Sequence, residues 1–421
     1  MRSDKKSNIV VFLLVVFLTT MPLLSSGLSF SGYYKSFFNL LIPKSIKIGD
    51  ENRDIPDLGM FLSKIRIKMS YSPTDWLSLK AEYEVSPTVL DLKELSGFQL
   101  VTGANSPKYR IVDLPKKMYP NGNDSKSDFF INQNLDRFYA SISFNFADVY
   151  IGRQVISWGS AYVINPTDII SPFSFNDIDK EQKSGVDAIR VRIPLGTMDE
   201  LDIGYIFDEE SGLNESAFFI RGKINFLNND VSVLVLGFKQ NLLVGFDLSR
   251  SFGGAGFRFE SAYVFDKIMD KAYPKELKEN YLRLSVGLDY RFSESVYGYA
   301  EYHFSSSGRN NSSKYLSNSK SNAYLTGSVY LLGKHYISAG ISYRFHPLIP
   351  ISGFVIYNIT DGSIMISPTL EYNISENIYL SLGGFVSMGE GIEYNEKGKF
   401  ILKSEFGSYP DYIFTSFRIY F

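Results

Sequence analysis

The sequence has no cysteine among its 421 residues. Disulfide bonds, thiolate metal sites, iron–sulfur clusters and thiol nucleophiles are therefore excluded. It also has little charge imbalance, because 43 Lys and Arg against 45 Asp and Glu give a formal net charge of -2. A nucleic-acid-binding domain would show a basic excess. After residue 30 there is no run of about 18 apolar residues, so no transmembrane helix is expected there.

Aromatic residues, in contrast, are abundant. The chain contains 34 Phe and 29 Tyr but only 2 Trp, and Phe and Tyr are enriched in β-strands. Soluble chains of this length usually divide into two domains, whereas an all-β barrel can reach it as one. The composition favours an all-β protein.

The N-terminus, residues 1–27, has the pattern of a secretory signal peptide. Arg2, Lys5 and Lys6 precede the apolar run Ile9 to Leu18, and small residues follow at Ser25 and Gly27. This order of charge, apolar core and small residues is typical of a cleaved signal, and the core is short for a membrane-spanning helix. We expect an exported mature chain of residues 28–421, with an uncleaved anchor as the alternative.

The C-terminal strand carries a second targeting pattern. Phe417, Ile419 and the terminal Phe421 share one strand face with Ile413 and Thr415. A terminal Phe that closes an alternating aromatic strand resembles the sorting signal of bacterial outer-membrane β-barrels. The resemblance implies recognition by the barrel assembly machinery and insertion among outer-membrane lipids. The alternative is an ordinary final strand.

Strict alternation of apolar and polar residues recurs along the mature chain. Between Phe61 and Tyr71, Ile65, Ile67 and Met69 alternate with the lysines and arginine at even positions. A soluble sandwich would bury such apolar faces in a core, whereas a membrane barrel turns them towards lipid. Many segments are about nine to eleven residues long, which is the length that crosses a bilayer when tilted.

The connections separate these two schemes, because a membrane barrel alternates short turns with long loops. Short connections are expected at 72–75, 145–148, 195–199, 227–230, 250–255, 293–295, 346–350 and 375–377. Longer ones are expected at 42–58, 86–134, 156–184, 209–215, 267–279, 305–334 and 388–410, with tight exceptions near 240–241 and 359–362. We predict one antiparallel transmembrane β-barrel of about 18 strands, with 16 as the alternative, and with long external loops 86–134, 156–184, 305–334 and 388–410. The stretch 323–331 fits either a loop or part of a longer strand.

The predicted inner faces are rich in charge, and rings of charge select ions in a channel. The candidate channel-lining residues are Lys64, Arg66, Lys68, Lys80, Glu82, Glu84, Arg137, Arg190, Arg192, Arg221, Lys223, Arg258, Glu260, Arg283, Asp289, Arg291, Glu301 and Arg344. Their basic excess predicts a mild preference for anions. The alternative is that opposite charges pair across the wall and leave no selectivity.

The most distinctive motif follows a predicted strand. It comprises Gly152, Arg153, Gln154, Trp158, Gly159, Asn165, Pro166 and Asp168. This GRQ-x3-WG-x5-NP-x-D pattern resembles a segment of porin-like bacterial outer-membrane families, which implies that it shapes the channel mouth. The alternative is a structural turn. Arg153 shares a face with Ile151, so either a bulge near Gly152 switches the face or the strand has left the membrane there.

The sequence assigns no catalytic residue, metal ligand or cofactor. The acidic stretch 177–181 lacks the spacing of an EF-hand calcium loop. His303 is the one candidate base for a barrel hydrolase, and no local signature of such enzymes surrounds it. We therefore predict a porin-like passive diffusion channel for small polar or anionic solutes. A non-channel barrel whose loops bind a polysaccharide or surface partner is the alternative, and a homotrimer stays open because porins often form trimers.

Overall fold

The computed structural model describes residues 27–91, 109–120, 128–173, 177–209, 212, 215–270, 273–394 and 400–421. The expected signal peptide lies outside these ranges except for its last residue. The strands are β1 (Leu28–Ile42), β2 (Ile46–Ile48), β3 (Glu51–Arg53), β4 (Leu58–Thr74), β5 (Leu77–Leu90), β6 (Lys117–Tyr119), β7 (Phe129–Ser143), β8 (Asp148–Gln154), β9 (Val186–Pro194), β10 (Glu200–Ile206), β11 (Ala217–Phe226), β12 (Asn229–Phe238), β13 (Asn241–Phe252), β14 (Ala255–Phe265), β15 (Tyr281–Arg291), β16 (Val296–Ser305), β17 (His335–His346), β18 (Ile349–Asn358), β19 (Ile364–Ser375), β20 (Ile378–Met388), β21 (Ile392–Tyr394), β22 (Phe400–Leu402) and β23 (Asp411–Tyr420).

Eighteen of these strands close into one antiparallel barrel. The long strands follow one another around the ring in chain order, and β1 pairs with both β4 and β23. The sheet therefore has no free edge. Of the remaining strands, β6 lies beside β7, and β2, β3, β21 and β22 form a separate four-stranded sheet. The prediction of an 18-stranded all-β barrel is confirmed, and the stretch 323–331 is indeed part of a connection.

The alternation in the sequence becomes an alternation of faces. On β4, Ile65 and Ile67 are 42% and 52% exposed on the outer surface, whereas Arg66 between them is 4% exposed inside the barrel. On β17, Ile337 is likewise exposed and Ser338 is buried. An apolar outer surface around a polar interior is the arrangement of a barrel that is surrounded by lipid.

The two rims of the barrel differ in the length of their connections. One rim, here the short-turn rim, holds 75–76, 144–147, 195–199, 227–228, 253–254, 292–295, 347–348 and 376–377 together with the start of β1 and the end of β23. At the other rim, the long-loop rim, the strands end where they lead into the connections 43–57, 91–128, 155–185, 207–216, 239–240, 266–280, 306–334, 359–363 and 389–410. This alternation of short and long connections agrees with the predicted alternation. The strands β5 and β7 extend further than predicted, so the connection expected at 86–134 is shorter.

The helices lie in the long-loop connections. They are α1 (Tyr315–Asn318), α2 (Asn322–Leu325) and single 3₁₀ turns at Lys275–Leu277, Ser312–Lys314 and Phe406–Ser408. Within the described ranges, no helix has the length and apolar character needed to cross a membrane.

Two hydrophobic clusters occupy the barrel interior towards the long-loop rim. In the first, Ile156 and Trp158 from the connection 155–185 pack with strand residues such as Phe219. In the second, Ile164 from the same connection packs with Ile356 and other residues of the opposite wall. Burial of these side chains removes apolar surface from water and so stabilises the inward position of the connection.

Candidate functional site

The connection 155–185, here called the crossing loop, spans the barrel interior. It leaves β8, contacts β14 and β16, and reaches β1 and β23 before it returns to β9. Gly159 turns the chain with φ +109, and a Cβ on Gly159 would lie 2.4 Å from the side-chain oxygen of Asn165. Only glycine accepts that backbone conformation and contact without strain. The crossing loop therefore narrows the interior.

Residues 160–167 of the crossing loop are called here the near end, and Glu260 on β14 holds this segment. Glu260 is fully buried. Its Oε2 accepts hydrogen bonds from the backbone N–H groups of Ser160 at 3.0 Å and Ala161 at 3.1 Å. Its Oε1 accepts from both the N–H and the hydroxyl of Thr167 at 2.7 Å. One strand carboxylate thus satisfies four donors of the loop.

Glu301 on β16 repeats this arrangement. Its carboxylate accepts hydrogen bonds from the N–H groups of Tyr162 at 2.6 Å, Val163 at 3.2 Å and Ile164 at 3.0 Å. Among the described residues, no Lys or Arg lies within ion-pair distance of Glu260 or Glu301. Both predicted lining residues face the interior, but the crossing loop covers them, so they anchor the loop.

Tyr162 connects the near end to two further predicted lining residues. Its hydroxyl donates to Asp289, and its ring stacks on Tyr299 with centroids 4.9 Å apart. The guanidinium of Arg258 lies 4.1 Å from the ring centroid and donates to the carbonyl of Ser160 at 2.7 Å. A cation over an aromatic face is attracted by the ring quadrupole. Arg258 and Asp289 therefore position the loop.

The far end of the crossing loop, Asp177–Glu181, is called here the acidic tip. Asp179 binds the ammonium groups of Lys35 at 2.9 Å and Lys64 at 3.0 Å. Burial by itself would raise the pKa of Asp179, but Lys64 and Lys35 lower this pKa to about 2. Lys35, which is fully buried on β1, also binds Glu181 at 2.8 Å.

Glu181 extends the far-end contact to the last strand. It binds Arg418 at 3.1 Å and accepts a hydrogen bond from the hydroxyl of Tyr420 at 2.5 Å. The acidic tip is therefore tied to β1, β4 and β23 by ion pairs. In the described part of the chain, no group of three or more His, Asp or Glu could hold a metal ion.

A cluster of Ser157, Asp168 and Lys183 fastens the base of the crossing loop. Asp168 accepts a hydrogen bond from the Ser157 hydroxyl at 2.9 Å and pairs with Lys183, which also donates to Ser157 at 2.5 Å. Burial raises the pKa of Asp168, and Lys183 opposes that shift. The cluster joins residues that are 26 positions apart, so it closes the loop on itself.

Arg66 forms the densest ion-pair network on the barrel wall. It binds Glu82 at 3.1 Å, Glu84 at 3.0 Å and Asp136 at 2.9 Å, and Asp136 also binds Arg137 at 2.5 Å. Sequence alone could not decide whether Arg66 reaches Glu82, and the register places Glu82 opposite Lys68, two residues along β4. These predicted lining charges neutralise one another.

The other predicted lining residues fall into two groups. Arg190 pairs with Asp202, Arg192 with Glu200, and Lys223 with Asp230, while Arg283 donates to the carbonyls of Ser328 and Pro166. The second group has no carboxylate within ion-pair distance in the described ranges, and it comprises Lys68, Lys80, Arg221, Arg258, Arg291 and Arg344. Six predicted lining cations therefore have no ion-pair partner among the described residues, and neither do the carboxylates of Asp247 and Asp289.

The sequence motif at 152–168 starts the crossing loop. Arg153 is buried and binds Asp187 at 2.7 Å, Asp113 at 3.0 Å and the carbonyl of Val112 at 2.5 Å. Pairing of β8 with β9 continues through Gln154 without a register shift, so no bulge occurs at Gly152. Arg153 instead lies one residue from the end of β8, where the carboxylates of Asp187 and Asp113 pair with its guanidinium.

The rest of the motif packs inside the barrel. Gln154 donates to the carbonyl of Ala188 at 3.3 Å, and the ring of Trp158 packs edge-on against Phe219 with centroids 4.7 Å apart. Gly159, Asn165, Pro166 and Asp168 make the contacts described above. The motif therefore shapes the inward turn of the loop.

His303 is buried in the barrel wall. Its Nδ1 lies 2.9 Å from the hydroxyl of Ser285, and that hydroxyl donates to the carbonyl of Ile164 at 2.6 Å. The neighbouring Glu301 is occupied by loop amides. This arrangement gives Ser285 no accessible nucleophilic oxygen and His303 no orienting carboxylate among the described residues.

The C-terminal residues close the barrel. Phe421 exchanges two backbone hydrogen bonds with Gly32 of β1, at 2.6 and 3.1 Å. Phe417 and Ile419 lie opposite Ser36 and Tyr34 of the same strand. The predicted sorting residues thus sit on the closing strand, with the Phe421 ring exposed at the short-turn rim.

Sequence patterns missed several residues of this site. Lys35 lies on β1, where Tyr33 and Phe37 share its face and Tyr34 and Phe38 occupy the other, so no polar alternation marked it. Asp136 sits at a register shift in the pairing of β5 with β7. The loop donors at 160–164 are backbone N–H groups, which have no residue signature.

The comparisons with known proteins concern the fold. No protein-family model and no curated protein matches the sequence. The structure is similar to Acinetobacter baumannii OccAB1, with a TM-score of 0.56 and 10% identity over 94% of this chain and 98% of that one. It is also similar to Pseudomonas aeruginosa OccK2 (OpdF), solved in complex with glucuronate, with a TM-score of 0.56 and 9% identity over 93% and 98% of the two chains.

A third similar structure is Pseudomonas aeruginosa OpdK with vanillate, with a TM-score of 0.51 and 9% identity over 93% of this chain and 98% of that one. At such identities the likeness shows the fold, since one fold can carry unrelated functions. The chain therefore is a closed 18-stranded barrel whose fold is similar to that of these structures.

Proposed function

We propose that this chain is a porin-like channel for passive diffusion of small polar or anionic solutes across the bacterial outer membrane, without chemistry. The observation that carries the proposal is the closed barrel, which has an apolar exterior and a charged interior narrowed by the crossing loop. Barrels of 16 to 18 strands are wide enough to enclose an aqueous channel. The long-loop rim would face outwards and the short-turn rim the periplasm.

The charge distribution supports a preference for anions. Glu260 and Glu301 are covered by the crossing loop, whereas Lys68, Lys80 and Arg221 have no carboxylate within ion-pair distance in the described ranges. Side-chain charge of one sign favours entry of the opposite ion. The similar barrels OccK2 and OpdK were solved with glucuronate and vanillate, which are both small carboxylates.

Single-channel recording of the refolded mature protein tests this function. Discrete conductance steps in a planar bilayer, with an anion-selective reversal potential under a potassium chloride gradient, are expected. Steps without selectivity would retain the channel and reject the charge argument. A folded barrel that gives no steps would reject the channel.

Targeting follows from the two ends of the chain. Residues 1–27 would be removed on export, and the strand ending in Phe417, Ile419 and Phe421 would address the barrel assembly machinery. N-terminal sequencing of protein from purified outer membranes would start at residue 28 under this proposal. Deletion of Phe421 would lower the amount of heat-modifiable barrel there, and native mass spectrometry would distinguish a monomer from a homotrimer.

The second candidate is a non-channel barrel whose outer loops bind a polysaccharide or another surface partner. It is favoured by the two hydrophobic clusters towards the long-loop rim and by the separate sheet of β2, β3, β21 and β22. A folded barrel without conductance that retains polysaccharide on an affinity column would support it.

A further inference from the structure

A cavity of about 290 Å³ lies between the acidic tip and the inner wall formed by β16 to β20. Ligand pockets in proteins start at about 300 Å³, so this cavity has room for one small ring. It is called here the ring cavity. The hydroxyl-bearing wall residues discussed next take no part in the anchoring contacts described above, whereas Tyr299 also stacks on Tyr162 of the crossing loop.

Three hydroxyl groups form a row on the wall of the ring cavity. Ser342 lies directly opposite Ser352, and Ser352 directly opposite Thr369, so the three share one level on β17, β18 and β19. Within the described ranges, none of these three hydroxyls makes a hydrogen bond to another protein group. Each hydroxyl can donate one hydrogen bond and accept two.

Aromatic rings border the same cavity on the side of the hydroxyl row that is nearer to the long-loop rim. Tyr299 and Phe354 are partly exposed to it. Tyr299 is held by its stacking on Tyr162, and Phe354 by an edge contact with Phe385 at 6.3 Å between centroids. Rings fixed in this way present apolar area without loss of side-chain entropy on binding.

The charged groups at the cavity are of both signs. Asp177 and Lys180 of the acidic tip border it, and the Lys180 ammonium lies 5.3 Å from the centroid of Phe354. Opposite charges side by side give little preference for the charge of a ligand. Selection there would rest on the hydroxyl row and the rings.

We propose that the ring cavity binds a polyhydroxylated ring of hexose size, as a neutral sugar or as its acid; this rests on the proposed channel function and names a solute class for it. A pyranose offers C–H faces that pack on aromatic rings. Its hydroxyl edge matches the row of Ser342, Ser352 and Thr369. A ring of equal size without hydroxyls would leave that row unpaired, which lowers affinity.

Solute-induced current noise of the refolded protein in a planar bilayer tests the assignment. Glucose and glucuronate should both interrupt the current, and cyclohexanecarboxylate, which has the ring without the hydroxyls, should do so at least about tenfold more weakly. The double variant Ser352→Ala/Thr369→Val should lose about tenfold in affinity for both sugars with its conductance retained. Ser70→Ala/Ser249→Ala, which changes hydroxyls near the short-turn rim elsewhere on the wall, is the matched control and should keep wild-type affinity.

Two results would overturn the assignment while leaving the channel intact. These are equal interruption by cyclohexanecarboxylate and glucose, or unchanged sugar affinity in the Ser352→Ala/Thr369→Val variant. If the barrel gave no current at all, the channel function would fail, and isothermal titration of the same refolded barrel with glucose would still decide the cavity. Glucose binding that the double variant weakens would support the site, and no heat of binding would reject it.

Discussion

The two ends of the crossing loop are held in opposite ways. At the near end, Glu260 and Glu301 of the wall accept hydrogen bonds from loop amides, and both carboxylates are buried. At the far end, Asp179 and Glu181 of the loop pair with wall cations, and their side chains are 12% and 36% exposed. The wall supplies the carboxylates at one end and the cations at the other.

This difference determines how each end responds to its surroundings. A buried carboxylate that is bonded to several N–H groups is shielded from salt, and its removal leaves those groups unpaired. A partly exposed ion pair is screened by salt and contributes less. We therefore expect the hydrogen bonds of the near end to be insensitive to salt, and the ion pairs of the far end to weaken as the salt concentration rises.

The largest effect is expected from Glu301→Ala. The change leaves three loop N–H groups unpaired, which costs about 4 kcal/mol in total, and should free the near end. Single-channel conductance and its noise should rise. Glu200→Ala, which breaks an ion pair of the wall near the short-turn rim, is the control, and wild-type conductance in Glu301→Ala would contradict the anchoring role.

Glu405, in the connection 389–410, is a further buried carboxylate that, like Glu260 and Glu301, has no ion-pair partner in the described ranges. It accepts hydrogen bonds from the Leu332 N–H at 3.0 Å, the Tyr336 hydroxyl at 2.5 Å and the Asn358 amide at 2.8 Å. Burial raises the pKa of Glu405 from 4.5 to about 7, and the nearby Asp361 adds to the shift. Its protonated form is therefore favoured in the folded protein.

The pH dependence of this contact has a definite sign. Because the folded-state pKa is raised, its stabilising contribution is full below about pH 4.5 and is lost as the pH rises to about 7, a change on the order of 3 kcal/mol. Hydrogen exchange at Leu332 should become faster between pH 5 and pH 8 after correction for intrinsic rates. Glu405→Gln should flatten this dependence, and an equally steep profile in that variant would argue against Glu405.

Asp179 should behave oppositely, since its pKa is lowered to about 2. Its contribution is present above about pH 3.8 and is lost as the pH falls through about 2. The double variant Asp179→Asn/Glu181→Gln should weaken the far end by about 3 kcal/mol at pH 7, because the buried Lys35 loses both partners. Conductance noise should increase less than in Glu301→Ala, and adding Lys35→Met should reverse part of the increase. No response to Lys35→Met would contradict the role of the buried charge.

The smallest effect is expected from salt. Between 0.1 M and 1 M potassium chloride the Debye length falls from about 10 Å to about 3 Å. Hydrogen exchange at the backbone amides of the acidic tip should therefore become faster by less than about fivefold, which corresponds to under 1 kcal/mol. The Asp179→Asn/Glu181→Gln variant should show no such acceleration, and an equal salt effect there would place its origin elsewhere.

The sequence was sufficient to predict the barrel, but not the path of the chain segment that crosses the barrel interior. Ile65, Arg66 and Ile67 alternate because one face of β4 is apolar and the other is polar, and this regularity repeats along the chain. The lengths of the connections then gave the rims and the strand number. The path of the crossing loop could not be read in this way, since Glu260 and Glu301 recognise backbone amides that every residue possesses.

The ion pairs of the far end could not be predicted from local sequence patterns either. Asp179 and Lys35 are 144 positions apart, and no local pattern joins residues at that separation. The face of Lys35 was hidden because aromatic residues occupy both sides of β1. Long-range pairing of this kind requires the closed barrel to be known first.

The contacts of Glu181 with Arg418 and Tyr420 have a consequence for the order of assembly. The acidic tip lies between β8 and β9 in the chain, whereas its partners lie on β1, β4 and β23, the strands at and beside the point where the ring closes. Its ion pairs with Lys35 and Lys64 need only β1 and β4, but its contacts with Arg418 and Tyr420 need the last strand. The full set of far-end contacts is therefore complete only in the closed barrel.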